Sequence, residues 1–206
     1  PNGSPFELGK SDVRVQLGVA RVVESGLPLV YLNQIGGQDE LVFDGASFVL
    51  NADRELALQM PAWDEAVVTT RWTRGADGWS CAVGDRVKQP EGPESLYCAL
   101  VTGLRDYVGK NGFPGVILGM SGGIDSALSA AVAVDALGAD KVRCVMMPSP
   151  YTSGHSLEDA AAASEMLGVD YRTINIGPAM AAFDTMLSDA FAGTTPDITE
   201  ENIQAR

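Results

Sequence analysis

The sequence predicts an α/β protein built in two parts, and three observations predict it. Residues 116–137, VILGMSGGIDSALSAAVAVDAL, run from a β-branched apolar strand through a glycine turn into an Ala-rich helix. Beyond them strand and helix patterns alternate as βαβαβ to about residue 176, which calls for a parallel sheet with right-handed crossovers. Before them, residues 1–80 read as one helix and then several short strands separated by turn residues, which suits antiparallel pairing. At 206 residues and 46% hydrophobic content, the chain can build one large domain or two small ones.

The elements follow in order. Residues 1–10, PNGSPFELGK, are turn-rich. From Ser11 to Gly26 the residues Val15, Val19, Val22 and Val23 recur at helical spacing, and Gly26 suits a C-cap. PLVYLNQIG reads as one buried strand. LVFDGASFVLN bends at Asp44-Gly45 and is joined through Asn51-Ala52-Asp53-Arg54 to ELALQM. PAWDEAVVTTRW reads as one more strand. Residues 82–94, AVGDRVKQPEGPE, hold two prolines and two glycines and read as the connection between domains 1–84 and 95–206, with the linker proper at 85–94.

A helix over Leu96–Val108 follows, capped by Ser95 or Glu94, with Leu96, Leu100, Leu104 and Val108 as its packing stripe. After the loop helix, KVRCVMMP is the second strand and PSPYTS the loop at its end. SLEDAAAASEML is a helix with Ser156 as N-cap, Glu158 and Asp159 in its first turn, and Gly168 as C-cap. YRTINI is the third strand. Ala179–Ser188 reads as an amphipathic helix, and Thr199 caps another that carries Asn202 and Arg206 on one face.

Composition excludes several classes. The net charge is −13, with 12 acids and 8 bases before Pro90 and 15 acids and 6 bases after it. That balance argues against nucleic acid as a partner, because phosphate backbones need Lys/Arg stripes. No run of about 18 uncharged apolar residues is present, which argues against a membrane partner. The start lacks Met and the pattern of a secretory leader, and both ends fall in mid-pattern, so a piece of a longer chain is expected. Cys81, Cys98 and Cys144 are odd in number and widely spaced, without CxxC, so neither a zinc site nor a disulfide framework is expected, and the reducing cytoplasm fits. A nucleophilic pair between a cysteine and His155, the single histidine, is a weak alternative to a buried Cys144.

The turn at 121–126 carries the chemistry. Strand, glycine bend and helix N-terminus in that order make an anion site, since successive N–H groups face one concavity and the helix dipole adds positive potential. Ser126, or Ser121 across the turn, adds a hydroxyl. Asp125 is an acid where phosphate should sit, which makes sense with a Mg²⁺ between them. The pattern is neither GxxxxGK[ST] nor GxGxxG. SGGIDS after an apolar strand instead resembles the PP-loop of the ATP pyrophosphatases, SGGxDS, which holds the pyrophosphate of ATP.

Upstream, SPFELGK and ARVVESGLPLVYLNQIGGQDELVFDGASFVLNADRE resemble the later part of the nitrilase-like glutaminase domain of the glutamine-dependent NAD synthases. The resemblance implies the C-terminal portion of a nitrilase-like α-β-β-α domain followed by a PP-loop domain. It implies ATP binding at Gly119, Met120, Ser121, Gly122, Gly123, Ile124, Asp125 and Ser126, with Mg²⁺ on Asp125 and the adenosine towards Met146–Pro148. Glutamine falls to Ser4 and Lys10. ENIQAR resembles the segment that contacts deamido-NAD, through Asn202 and Arg206. The family's glutaminase Glu, Lys and Cys lie upstream of such a segment.

The implied reaction is ATP-driven amidation. The nicotinate carboxylate of deamido-NAD is adenylated with loss of pyrophosphate, and glutamine-derived ammonia displaces AMP to leave NAD. A homo-oligomer with an ammonia tunnel between domains is implied as well. Two alternatives stay open: another PP-loop enzyme, GMP synthase-like or tRNA-thiolating, and a non-catalytic nucleotide-binding fragment.

Overall fold

A computed structural model describes residues 2–189 and residue 192. The expectations at Asn202, Arg206 and the Thr199-capped helix lie outside the described residues. The chain is α/β and divides into two compact units, Pro1–Phe113 and Pro114–Arg206.

In the first unit, α1 (Lys10–Ser25) is followed by five strands: β1 (Leu29–Tyr31), β2 (Ile35–Gln38), β3 (Leu41–Asp44), β4 (Phe48–Leu50) and β5 (Leu56–Gln59). Gly26 ends α1 in the left-handed region at φ 67°, its amide donating to the Val22 carbonyl, as a C-cap glycine should. The three-stranded sheet runs β1-β4-β5, all antiparallel, and β2 pairs separately with β3. Alternation along β4 makes two cores. Phe48 and Leu50 face α1, with Val22, Val15, Val19 and Leu29 around them. Val49 faces the other way, onto Ala57, Leu58 and Cys81.

Three expectations change here. PLVYLNQIG is two strands, because the chain leaves β1 at Leu32 and starts β2 at Ile35, and Val30 is exposed. The buried positions of α1 are Arg14, Gly18 and Val22, whereas Val23 points to solvent. Gly18 is there because any Cβ would sit 3.0–3.2 Å from Leu50, Leu29 and Phe48. The stretch 61–71 makes no extended strand: Val67 is fully exposed, and β-branched residues without a partner strand have nothing to pair with. A hairpin follows instead, β6 (Trp72–Gly75) with β7 (Gly78–Cys81).

Residues 82–87 do not hang free. Gln59 donates to the Asp85 carbonyl, and the amides of Gly84 and Val87 return to Ala57 and Gln59. Then α2 (Gly92–Lys110) starts earlier than expected, with Pro93 in its first turn. Only the C-terminal half of the expected stripe packs: Leu96 and Leu100 are exposed, Leu104 is partly buried and Val108 is buried. The helix approaches β2 through Gly103, whose Cα a Cβ on Gly37 would meet at 3.1 Å, and through Asp106, which accepts from the Gly37 amide at 2.7 Å.

The second unit is the expected βαβαβ: β8 (Val116–Gly119), α3 (Ile124–Leu137), a 3-10 turn (Ala139–Lys141), β9 (Val142–Met146), α4 (Gly154–Leu167), β10 (Asp170–Thr173), then α5 (Gly177–Leu187). The sheet order is β10-β9-β8, both pairings parallel. Among the described residues β8 is therefore an edge strand, and Ile117 on it is exposed. α4 begins two residues before Ser156, with Ser153 as the true N-cap, so Glu158 and Asp159 fall beyond its first turn. Gly168 closes it at φ 67°, as expected.

Candidate functional site

The C-terminal edge of a parallel sheet is where ligands sit in this class of fold. Two loops lie at that edge: 120–123 after β8 and 147–153 after β9. Met120, almost wholly buried, anchors the first by donating its amide to the Val145 carbonyl at 2.9 Å. Gly119 ends β8 directly before it, opposite Val145. Gly122 then bends at φ 81°, and Gly123 serves as N-cap of α3 without a side-chain cap.

The hydroxyls knit this bend. The Ser121 amide donates to Ser126 Oγ at 3.2 Å, the two hydroxyls are 3.1 Å apart, and Ser126 Oγ donates to the Gly123 carbonyl at 2.9 Å. The Gly123 amide donates to Ser121 Oγ at 3.2 Å. What stays open is the helix end itself. Ile124, Asp125 and Ser126 supply the first amides of α3, which have no carbonyl one turn earlier to bond, and the chain there is largely exposed. Ile124 is 78% exposed, so its side chain does not plug the bend. Asp125 stands in the same first turn, also exposed. An anion seated here meets backbone donors, two hydroxyls and the positive end of a helix dipole. An oxygen-ligating cation has the Asp125 carboxylate beside it.

The loop after β9 is stitched by its own side chains. The Ser149 amide donates to Thr152 Oγ1 at 2.9 Å and the Tyr151 amide to Ser149 Oγ at 3.2 Å. The two methionines before it separate: Met146 is core, and Met147 is half exposed at the sheet edge.

Ser4 and Lys10 belong to the first unit. Ser4 is fixed on every side: its amide donates to Asn33 Oδ1 at 2.9 Å, and its Oγ accepts from Arg14 Nε at 3.1 Å. Lys10 is ion-paired with the exposed Glu7. Arg14 is the residue that the sequence reading missed. Its Nη1 donates to both carboxylate oxygens of Asp44, at 2.8 and 2.7 Å, both side chains buried, and its Nη2 donates to the carbonyls of Ser4 and Pro5. Its only signal in the sequence was its place four residues before Gly18 on the inner face of α1.

A cavity of about 430 Å³ opens beside the same stretch, lined by Phe6, Asp12, Val15, Trp63 and Gln89 among others. Two buried polar atoms there, Trp63 Nε1 and Gln89 Oε1, have no hydrogen-bond partner among the described residues. The thiols are poor nucleophiles. Burial pushes Cys144 and Cys81 up, and burial together with Glu94 and Asp64 does the same for Cys98. His155 is exposed, whereas Cys144 is wholly buried in β9. Among the described residues no group of three or more His, Cys, Asp or Glu side chains is placed to hold a metal unaided, and no helix is long and apolar enough to cross a membrane.

A family model described as NAD synthase matches residues 96–206. The chain is 54% identical over its whole length to the glutamine-dependent NAD(+) synthetase of Rhodobacter capsulatus, and 44% identical to that of Acinetobacter baylyi. It spans only 37% of the first of these proteins and 38% of the second. Among solved structures, the glutamine-dependent NAD+ synthetase of Acinetobacter baumannii in complex with ADP superposes with a TM-score of 0.92 at 44% identity, over 99% of this chain and 38% of that one. The Cytophaga hutchinsonii glutamine-dependent NAD(+) synthetase shares the fold, with a TM-score of 0.80 at 18% identity over all of this chain and 41% of that one.

Proposed function

The chain belongs to the NAD synthase family, and from that premise we propose that it is part of a ligase that amidates deamido-NAD to NAD, using ATP and glutamine-derived ammonia. The observation that carries this reading is the SGGIDS bend, which opens α3 at the C-terminal edge of the parallel strand β8 with backbone amides unpaired by the helix. A relative of the same family with a matching fold was solved with ADP, which supports nucleotide binding.

In this reading Gly119 and Met120 fix the base of the cradle, and Ser121, Gly122, Gly123, Ile124 and Ser126 line it with amides and hydroxyls. Their task is electrostatic. The α-phosphate is attacked by the nicotinate carboxylate, charge accumulates on the departing pyrophosphate, and preorganised donors stabilise it there. Ser121 and Ser126, whose hydroxyls lie 3.1 Å apart, turn their protons to the phosphate oxygens. Asp125 fits a Mg²⁺, because that ion is held through one or two carboxylates together with substrate phosphates and needs no cage of protein ligands. When bound, the ion neutralises phosphate charge. Met147 offers an apolar face at the same edge to the adenine.

Residues 1–84 are read as the end of a nitrilase-like glutaminase domain, 85–94 as linker and 95–206 as the start of the synthase domain; the family match from residue 96 supports that division, whereas the compact units part after Phe113. Lys10 exchanges Glu7 for the glutamine carboxylate, and Ser4, whose oxygen already accepts from Arg14, donates its proton to the same ligand. Asn202 and Arg206 contact deamido-NAD. The enzyme is read as a cytoplasmic homo-oligomer.

Pyrophosphate release by the full-length enzyme, measured with deamido-NAD, XMP and tRNA in parallel, tests the reading. Release with deamido-NAD alone is expected. Release with XMP or tRNA, or ATP binding without turnover on any of them, overturns it.

A further inference from the structure

The loop at 120–123 does not hold its shape alone. Gly122 lies so close to the first turn of α4 that a Cβ on it would come within 2.8 Å of Ser156 Cα and 2.9 Å of Ser156 C, and closer still to the Ser156 carbonyl oxygen. These are backbone atoms, which cannot swing aside as a side-chain tip can. The left-handed φ of 81° at Gly122 is therefore held against a rigid wall. The position of that wall depends on Ser153. Its Oγ accepts from the Ser156 amide at 3.1 Å, its hydroxyl lies 2.9 Å from Ser156 Oγ, and its carbonyl accepts from Leu157. Both the backbone and the side chain of Ser156 are thus tied to one residue of the loop after β9.

We infer that Ser153 is a positioning residue for the phosphate bend: by capping α4 it sets the Ser156 backbone against Gly122 and so fixes the aim of the α3 amides. The inference rests on the reading that this bend holds ATP. It gives the loop after β9 a task separate from touching the nucleotide, because Ser153 acts through Ser156 and Gly122. Removing the cap lets the first turn of α4 fray, the wall recedes, and Gly122 relaxes away from the conformation that points the amides inward.

The test is steady-state pyrophosphate release by the full-length enzyme, with ATP and deamido-NAD varied in turn, for the wild type, Ser153→Ala and Ser153→Asp. Asp keeps an N-cap acceptor and Ala does not. Expected for Ser153→Ala is a rise of about fivefold in KM for ATP, the equivalent of one lost cap, with KM for deamido-NAD unchanged and ATP affinity restored by Ser153→Asp. Assays run well below the melting temperature of each variant. A melting temperature that falls while KM for ATP stays at the wild-type value means that the cap is only structural and overturns the inference. So does an equal rise for Ala and Asp. If the wild type releases no pyrophosphate with deamido-NAD, the functional reading fails instead, and the two failures are told apart by that first measurement.

Discussion

Two bends in this molecule use nearly the same residues and come to opposite ends. In the first unit, Asp44-Gly45-Ala46-Ser47 joins β3 to β4. In the second, Ser121-Gly122-Gly123-Ile124-Asp125-Ser126 joins β8 to α3. Each has an aspartate, a serine and a glycine in the left-handed region, φ 70° at Gly45 and 81° at Gly122. The first is sealed. Asp44, Ala46 and Ser47 are all buried, Arg14 takes the carboxylate with two hydrogen bonds, and the Trp63 amide takes the Asp44 carbonyl. The second is open, with its aspartate in solvent and a helix end behind it. The residue types do not distinguish structure from site. What does is whether the chain supplies the carboxylate with its own cation, and whether a strand or a helix comes next.

That contrast is sharpest when each aspartate or its partner is removed. Arg14→Ala leaves Asp44 as an uncompensated buried charge and should destabilise the fold by about 3–5 kcal/mol, read as a lower denaturant midpoint at unchanged slope. Replacing both Arg14 and Asp44 with apolar residues of similar size should recover most of that loss. A single mutant as stable as the wild type would break the comparison. Asp125→Ala should do the reverse: thermal unfolding stays at the wild-type temperature while pyrophosphate release falls by about 10²–10³. Wild-type turnover in that variant would remove Asp125 from the proposed metal position.

The glycines come next in size. Gly122→Ala and Gly45→Ala both impose about 1–2 kcal/mol of left-handed strain, but their neighbours differ. A Cβ at Gly45 meets the Ile35 side chain, Cδ1 at 2.7 Å, whereas at Gly122 it meets backbone. Gly45→Ala should lower the melting temperature alone. Gly122→Ala should weaken ATP binding by about tenfold, measured by calorimetry, because the open loop can relieve its strain by moving. Equal effects on ATP binding would dissolve the distinction between the two bends.

The smallest effect is in acid. Burial pushes the Asp106 carboxyl up, but the Gly37 amide, Lys110 and Arg105 outweigh it and hold the group below its ordinary value. A lowered native pKa adds stability that is full above the unfolded value, near 4, and is lost as pH falls through the native one. The stability gap between the wild type and Asp106→Asn should therefore be constant at neutral pH and close on acidification from about pH 4. A gap that widens in acid would mean that Asp106 does not tie α2 to β2 through its charge.

Much of the second unit was legible because its signals are local. A β-branched strand, two glycines and an Ala-rich helix lie consecutively in the chain, and Gly26 and Gly168 mark helix ends by a conformation that few other residues accept. What stayed hidden is set at a distance. Arg14 and Asp44 are 30 positions apart, and nothing near either one announces the other. The leucine spacing of α2 described a stripe, yet the helix meets β2 through Gly103 and Asp106, because two glycine-lined backbones can approach more closely than leucines allow. Ser153 and Ser156 are both good caps, and only the extended backbone of Ser153, ψ 151°, decides between them. Val67 and Val68 have strand-forming side chains, but a strand also needs a neighbour, and the described residues supply none there.

The rim position of β8 has a practical consequence for anyone producing this 206-residue segment by itself. Among the described residues, one side of the VILG ladder is satisfied by β9, while the other has no partner strand and lies next to an exposed Ile117. Such a margin templates self-association, and charge or proline, the usual guards, are absent from those four residues. Turbidity and losses on concentration are the behaviour to plan for, and an Ile117→Lys version is the sensible form in which to make it.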